Sequence, residues 1–154
     1  LQAVQANGVT YTIVASPTDG VWSDTVITAA ITPASTSNTI FVCWRTGIHV
    51  VDSVGVMGFA LRTKRAISGG ATTDSASAVS PYGSGNTHSV FLMTTSTGGD
   101  FMTMATASGL DAPSASTEVT YTVGASPYGS PSTFEIGGMY SARWSMVLME
   151  IDGT

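Results

Sequence analysis

Residues 143–151 (RWSMVLMEI) constrain the fold more than any other stretch, because as a strand they are apolar on both faces. Successive side chains of an extended chain point to opposite sides. Val147, Met149 and Ile151 therefore line one face, while Trp144, Met146 and Leu148 line the other. An antiparallel sheet ordinarily packs one face on a core and leaves the other to water. The second apolar face needs another cover, and a further copy of the chain is its simplest supplier. These six residues are expected to be core or an interface between copies of the chain, with the assignment of the two faces left open.

The rest of the composition agrees with a β protein. At 154 residues and 15.8 kDa the chain fits a single domain, 1–154, with a sizeable core. Charged residues are 10% against the usual quarter. Mean hydropathy is +0.26, greasy for a soluble monomer. Ser and Thr exceed a quarter of the residues and there are 17 Gly, a mixture of strand and turn formers. A net charge of −5 argues against nucleic acid or an anionic membrane as the main partner, since both call for basic surface. The lone Cys43 excludes an internal disulfide framework and a cysteine-rich zinc site. No apolar run approaches the ~20 residues of a membrane-spanning helix, so membrane insertion is not expected. The chain opens at Leu1 with no secretion signal, as a piece of a longer protein would, and residues 1–8 are a possible linker from that upstream part.

Strand patterns recur along the chain at 9–15, 21–31, 39–51, 54–61, 88–95, 101–107, 117–125, 134–140 and 143–151, separated by turn clusters. About nine strands at this spacing predict an all-β sandwich or barrel. In 39–51 the even positions Ile40, Val42, Trp44, Ile48 and Val50 form the better core row. Residues 68–86, mostly Ser, Gly, Ala and Thr, read as a long loop of the kind that carries function. The cluster Arg62, Lys64 and Arg65 reads as solvated turn and edge protection, with attraction of an acidic glycan as the alternative. Glu150, inside the doubly apolar stretch, needs a partner if it is buried.

A short repeat, SPYGS, occurs at 80–84 and 126–130. Pro and Gly at its second and fourth positions suit a type I turn that holds the Tyr outward. Tyr82 and Tyr128 are either incidental turn residues or aromatic platforms for a sugar ring, with Trp22 a third candidate and Asn86 a polar one. His49 and His88 lie in strand patterns without metal-ligand spacing, and are expected as packed or half-exposed strand residues. The scattered carboxylates give no reason to pair any two, and no phosphate loop or nucleophile elbow is present. No catalytic residue, metal or cofactor is expected.

Four stretches, in order, resemble the C-terminal domains of bacteriophage tail fibres and tailspikes. Residues 31–42 (ITPASTSNTIFV) resemble that family's ITPxSx(T/S)SKILV segment, and 61–67 (LRTKRAI) its LR(N/D)GTxI turn. Residues 110–123 (LDAPSASTEVTYTV) are similar to LDSPxTTSxVTYKV, and 145–151 (SMVLMEI) to SITLMEI, which also ends the family's chains. Thr63-Lys64 replaces the family's Asn/Asp-Gly, the stretch 68–108 is longer than the pattern, and Phe-Leu-Asp has become Gly109-Leu110-Asp111. The resemblance implies a jelly-roll-like antiparallel β-sandwich, a homotrimer, and a place at the virion's distal tip, joined to an upstream fibre shaft. The implied function is attachment to host surface polysaccharide or lipopolysaccharide through several weak contacts. A structural trimerisation cap is the second reading and a glycan-cleaving enzyme the third.

Overall fold

The computed structural model describes residues 2–15, 21–51, 55–74, 90–96, 100–128, 133–138 and 143–153. Their strands are β1 (Ala3–Gly8), β2 (Tyr11–Ala15), β3 (Ser23–Ile31), β4 (Thr39–Val51), β5 (Gly55–Ile67), β6 (Thr72–Asp74), β7 (Val90–Ser96), β8 (Phe101–Asp111), β9 (Val119–Tyr128), β10 (Thr133–Gly137) and β11 (Trp144–Ile151). No helix occurs among the described residues.

Every pairing is antiparallel, and several elements lie end to end along one partner. β11 and β10 pair with successive halves of β4, while β1 and β2 pair with β11 and β10. β6 and β7 likewise share one edge of β5. Counted as continuous strands, the first sheet runs 1-8-3-6 (β1/β2, β10/β11, β4, β8) and the second 2-7-4-5 (β3, β9, β5, β6/β7). The outer pairs 1·8, 3·6, 2·7 and 4·5 are those of one long antiparallel ribbon rolled over on itself, which is a jelly roll. At the junction of β10 and β11, Gly137 has φ 131°, and a Cβ there would lie 2.6 Å from the Thr10 carbonyl oxygen. Only glycine suits that break.

The core lies between the sheets. Ile40, Val42, Trp44, Ile48 and Val50 of β4 are all buried, as their alternation predicts, and they join Phe59, Leu61, Val119, Tyr121 and Val123 in one cluster. Trp44 Nε1 donates to Thr63 Oγ1 across the sandwich at 2.9 Å, so the one polar atom of the indole is satisfied. Of the final strand, Trp144, Met146 and Leu148 belong to this core. Val147 is half-buried and Met149 and Ile151 are exposed on the outer face.

Three regions depart from their sequence reading. Residues 1–8 contain β1, whose Val4 and Ala6 pack against the core, in place of a linker. The cluster at 62–65 is interior to β5, flanked by β9 on one side and β6 and β7 on the other, so it is not an edge or turn. Its polarity conceals the alternation, because the inward positions Thr63 and Arg65 have buried polar partners. The segment 126–128 extends β9 rather than turning. Pro127 pairs with Phe59, beyond the last β3 partner at Ala125, so a missing N–H need not interrupt a ladder on the β3 side.

Two polar clusters close the sandwich. Arg65 Nη1 donates to both oxygens of buried Asp111, at 2.8 and 2.9 Å, and Tyr121 Oη donates to Asp111 Oδ2 at 2.9 Å. Burial, and then the charge of Asp111, pushes the Tyr121 hydroxyl far above its ordinary value and keeps it a donor. Glu150, the other buried carboxylate, accepts from Ala34 N at 2.6 Å and from Asn38 Nδ2 at 2.7 Å. Those bonds hold its pKa below the usual range, that from Asn38 contributing most. Asp111→Ala is expected to lower unfolding free energy by about 2–4 kcal/mol, since it leaves the partly buried Arg65 without its counter-charge. Urea denaturation of the variant and the wild type measures this, and an unchanged midpoint would show that the cluster is not a structural tie.

Candidate functional site

Among the described side chains, the second sheet turns mostly small and polar groups outward, and Trp22 stands beside them. Along β5 the even positions face away from the core, placing Ala60, Arg62, Lys64 and Ala66 in a row beside Ser126, Gly124, Thr122 and Thr120 of β9. Trp22 immediately precedes β3. Its ring lies against the Arg62 guanidinium, whose central carbon is 4.1 Å from the ring centroid. Lys64 pairs with Asp24 of β3. Gly124 makes this layout possible: a Cβ there would sit 3.2 Å from Lys64 Cδ and 3.5 Å from Arg62 Cγ, so its bare backbone lets both stems lie flat across β9. Thr28 completes the surface, with its Oγ1 3.1 Å from Thr122 Oγ1.

This patch can do two things chemically. A braced indole presents apolar area whose orientation is already fixed, which lowers the ordering cost of stacking a ring on it. Beside it on the same strands stand a guanidinium, a paired ammonium and carboxylate, and threonine hydroxyls, groups that between them donate and accept hydrogen bonds. Of the residues expected from sequence, Trp22 is in this patch. The backbone of Tyr128 pairs with Gly58 on the same two strands, two residues beyond Ser126 and Ala60. Tyr82, Asn86 and His88 lie outside the described residues. Arg62 and Lys64, read from sequence as edge protection or as an attraction for an acidic glycan, belong to the patch; that Asp24 joins Lys64 there escapes a sequence reading, because the two are 40 residues apart and meet only through the β3·β9·β5 order.

The first sheet holds a second charged group on its own outer face. His49 is buried there between two carboxylates, with Nδ1 2.9 Å from Glu135 Oε2 and Nε2 3.2 Å from Asp100 Oδ2. β10 supplies Glu135 as the register partner of His49, and Asp100 immediately precedes β8. Burial opposes protonation of the ring, but hydrogen bonding to Glu135 and Asp100, with the negative charge of both, outweighs it and raises the His49 pKa. Among the described residues no group of His, Cys, Asp and Glu is arranged to hold a metal ion.

The sign of the pH dependence follows. A histidine whose folded pKa is raised contributes stability that is fully present below its unfolded value of about 6.5 and is lost as pH rises through the folded value. The melting temperature of the wild type should therefore fall relative to His49→Gln as pH climbs through that window. Parallel pH series of thermal melts check this, and a constant difference would remove the charged clamp.

No protein-family model matches the sequence, and no curated protein matches it. Among solved structures, the chain is similar to that of infectious bursal disease virus, Gx strain, with a TM-score of 0.50 at 9% identity, covering 99% of this chain and 37% of that one. The VP2 subviral particle of the same virus gives a TM-score of 0.47 at 8% identity, covering 99% and 33%. The enzymatically active domain of bacteriophage CBA120 tailspike protein 4 gives 0.36 at 9% identity, covering 97% and 18%. The chain thus spans about a third of the length of the first two structures it matches. At such identity the likeness to the Gx-strain structure is one of fold alone.

Proposed function

We propose that this chain is the receptor-binding tip domain of a bacteriophage tail fibre, a homotrimer that attaches the virion to host surface polysaccharide or lipopolysaccharide. The observation that carries the reading is the patch on the second sheet, where Trp22 is braced by Arg62 and the Lys64–Asp24 and Thr28–Thr122 pairs lie along the same three strands. A sugar presents an apolar face and a rim of hydroxyls, and this surface offers a complement to each. The four tail-fibre-like stretches support the assignment to a fibre, with the upstream shaft as the chain's other partner. Mechanism is by avidity: three copies of a shallow site reinforce one another, so no enclosed pocket is needed. Binding, without catalysis, is the chemistry assigned to this surface.

A second reading, a structural cap that trimerises and ends a fibre, is favoured by one specific observation. Several residues of the tail-fibre-like stretches, Asn38, Asp111, Tyr121 and Glu150, are tied up in holding the sandwich together. Adsorption separates the two readings. Trp22→Ala is expected to weaken adsorption of the chain to host cells by about tenfold or more, because one lost contact is multiplied over the assembly, while leaving its melting temperature and mass unchanged. Wild-type chain that forms trimers and does not adsorb would leave the cap.

A further inference from the structure

Among the described side chains, the outer faces of the two sheets differ in kind. Of the nine large apolar side chains left exposed among the described residues, only Val9 and Val21 lie elsewhere; the other seven stand on the first sheet's outer face. Met149, Ile151 and Leu110 flank half-buried Phe41 at one end, and Met102 (57% exposed), Met104 (56%), Tyr11 and Ile13 surround Gly47 and Gly137 at the other. Sheets in contact with water on one side normally alternate apolar-in and polar-out, and apolar patches of this extent mark contact surfaces.

We propose that this face is where copies of the chain meet, with Arg45 of one copy set against Asp100 and Glu135 of the next. The inference rests on the homotrimer reading above and adds the surface and its polarity. Size is the first support. β4 runs 13 residues along the face, so at ~3.3 Å per residue and ~4.8 Å between four strands the face measures roughly 40 by 15–20 Å. That is on the order of 700 Å², to be divided between two neighbours in a ring of three, against the ~800 Å² each partner contributes to one standard interface.

Charge complementarity is the second support. Arg45 stands exposed in mid-face between Ser145 and Thr106, and no carboxylate of the described residues is paired with it. Asp100 and Glu135, four to six rows along β4, share the single imidazole of His49, leaving that end acidic. A face with a cation in its middle and acid at one end complements a copy of itself when unlike regions meet, as they do in a closed cyclic ring. A bilayer would satisfy the apolar rows but would leave both charges unmatched in the contact.

The test uses the chain as it stands, with mass by light scattering at about 10 μM and a thermal melt for each variant to confirm folding. Wild type should weigh three chains. Leu110→Lys and Met104→Lys change exposed positions and should reduce the mass to one chain. Arg45→Glu and Asp100→Lys should each raise the dissociation constant about tenfold or more, and the two together should recover most of it. Trimers persisting in both lysine variants would overturn the surface while leaving the homotrimer reading intact, whereas a monomeric wild type would overturn both. If the lysine variants fail to fold, the charge pair decides: no loss in either single variant, or no recovery in the double, overturns the proposal. Association of the wild type with neutral phosphatidylcholine vesicles in place of itself would overturn it also.

Discussion

The fold depends on one nearly dry seam, in which the even row of β4 is pressed against the inward rows of β5 and β9. Two sheets pack about 10 Å apart only if both inner faces are filled, and each large side chain buried there is worth roughly 1.5–3 kcal/mol. Trp44 sets the local spacing, since its indole spans the gap and ends on Thr63 of the opposite sheet. Phe59 and Phe134 do the same further along, with ring centroids 6.1 Å apart. With β4 paired to β8 on one edge and to β10 and β11 on the other, its inner row fixes the register of the whole first sheet. A slip of one residue would turn that row to the outside.

The polar clusters then decide how the ends of the seam are sealed. Asp111, Arg65 and Tyr121 come from β8 in one sheet and from β5 and β9 in the other, so their hydrogen bonds clamp the sheets together at one end. Glu150 binds the segment between β3 and β4 to the last strand through Ala34 and Asn38, and Asn38 Oδ1 in turn accepts from Gly153 N at 3.2 Å. These ties join residues from the tail-fibre-like stretches: 31–42 meets 145–151 at Asn38 and Glu150, and Asp111 and Tyr121 lie within 110–123. The motifs are therefore recipes for closing a jelly roll. They speak to architecture, and the proposed binding rests on the patch on the second sheet instead.

That division explains what could be read from the chain alone. Periodicity is local, so β4, the buried row Trp144, Met146 and Leu148, and the bare outer face with Met149 and Ile151 are all visible in sequence. Pairing is not local. Trp22 shows as an aromatic beside a turn, but that Arg62 braces it depends on the distant pairing of β3, β9 and β5. His49 reads as a packed strand residue, and it is one; its carboxylates, Asp100 and Glu135, arrive from 51 and 86 residues away along the chain. The cluster at 62–65 misleads for a physical reason. Alternation is recognised by contrast between apolar and polar, and β5 there has polar residues on both faces because the inner ones are paired.

A jelly roll buries one face of each sheet and leaves two outer faces to be spent, and this chain spends them differently. On the second sheet Gly124 lets the stems of Lys64 and Arg62 lie across β9, beside the half-buried Trp22 and above buried Ala60 and Ser126. On the first sheet Gly47 and Gly137 lower the floor, and the side chains around them are methionine, tyrosine and isoleucine, which gain only if water is removed. Among the described side chains the two outer faces, back to back across the core, thus differ in chemistry, one mostly apolar and one mostly polar. Had both been polar, composition would have approached that of an ordinary soluble monomer.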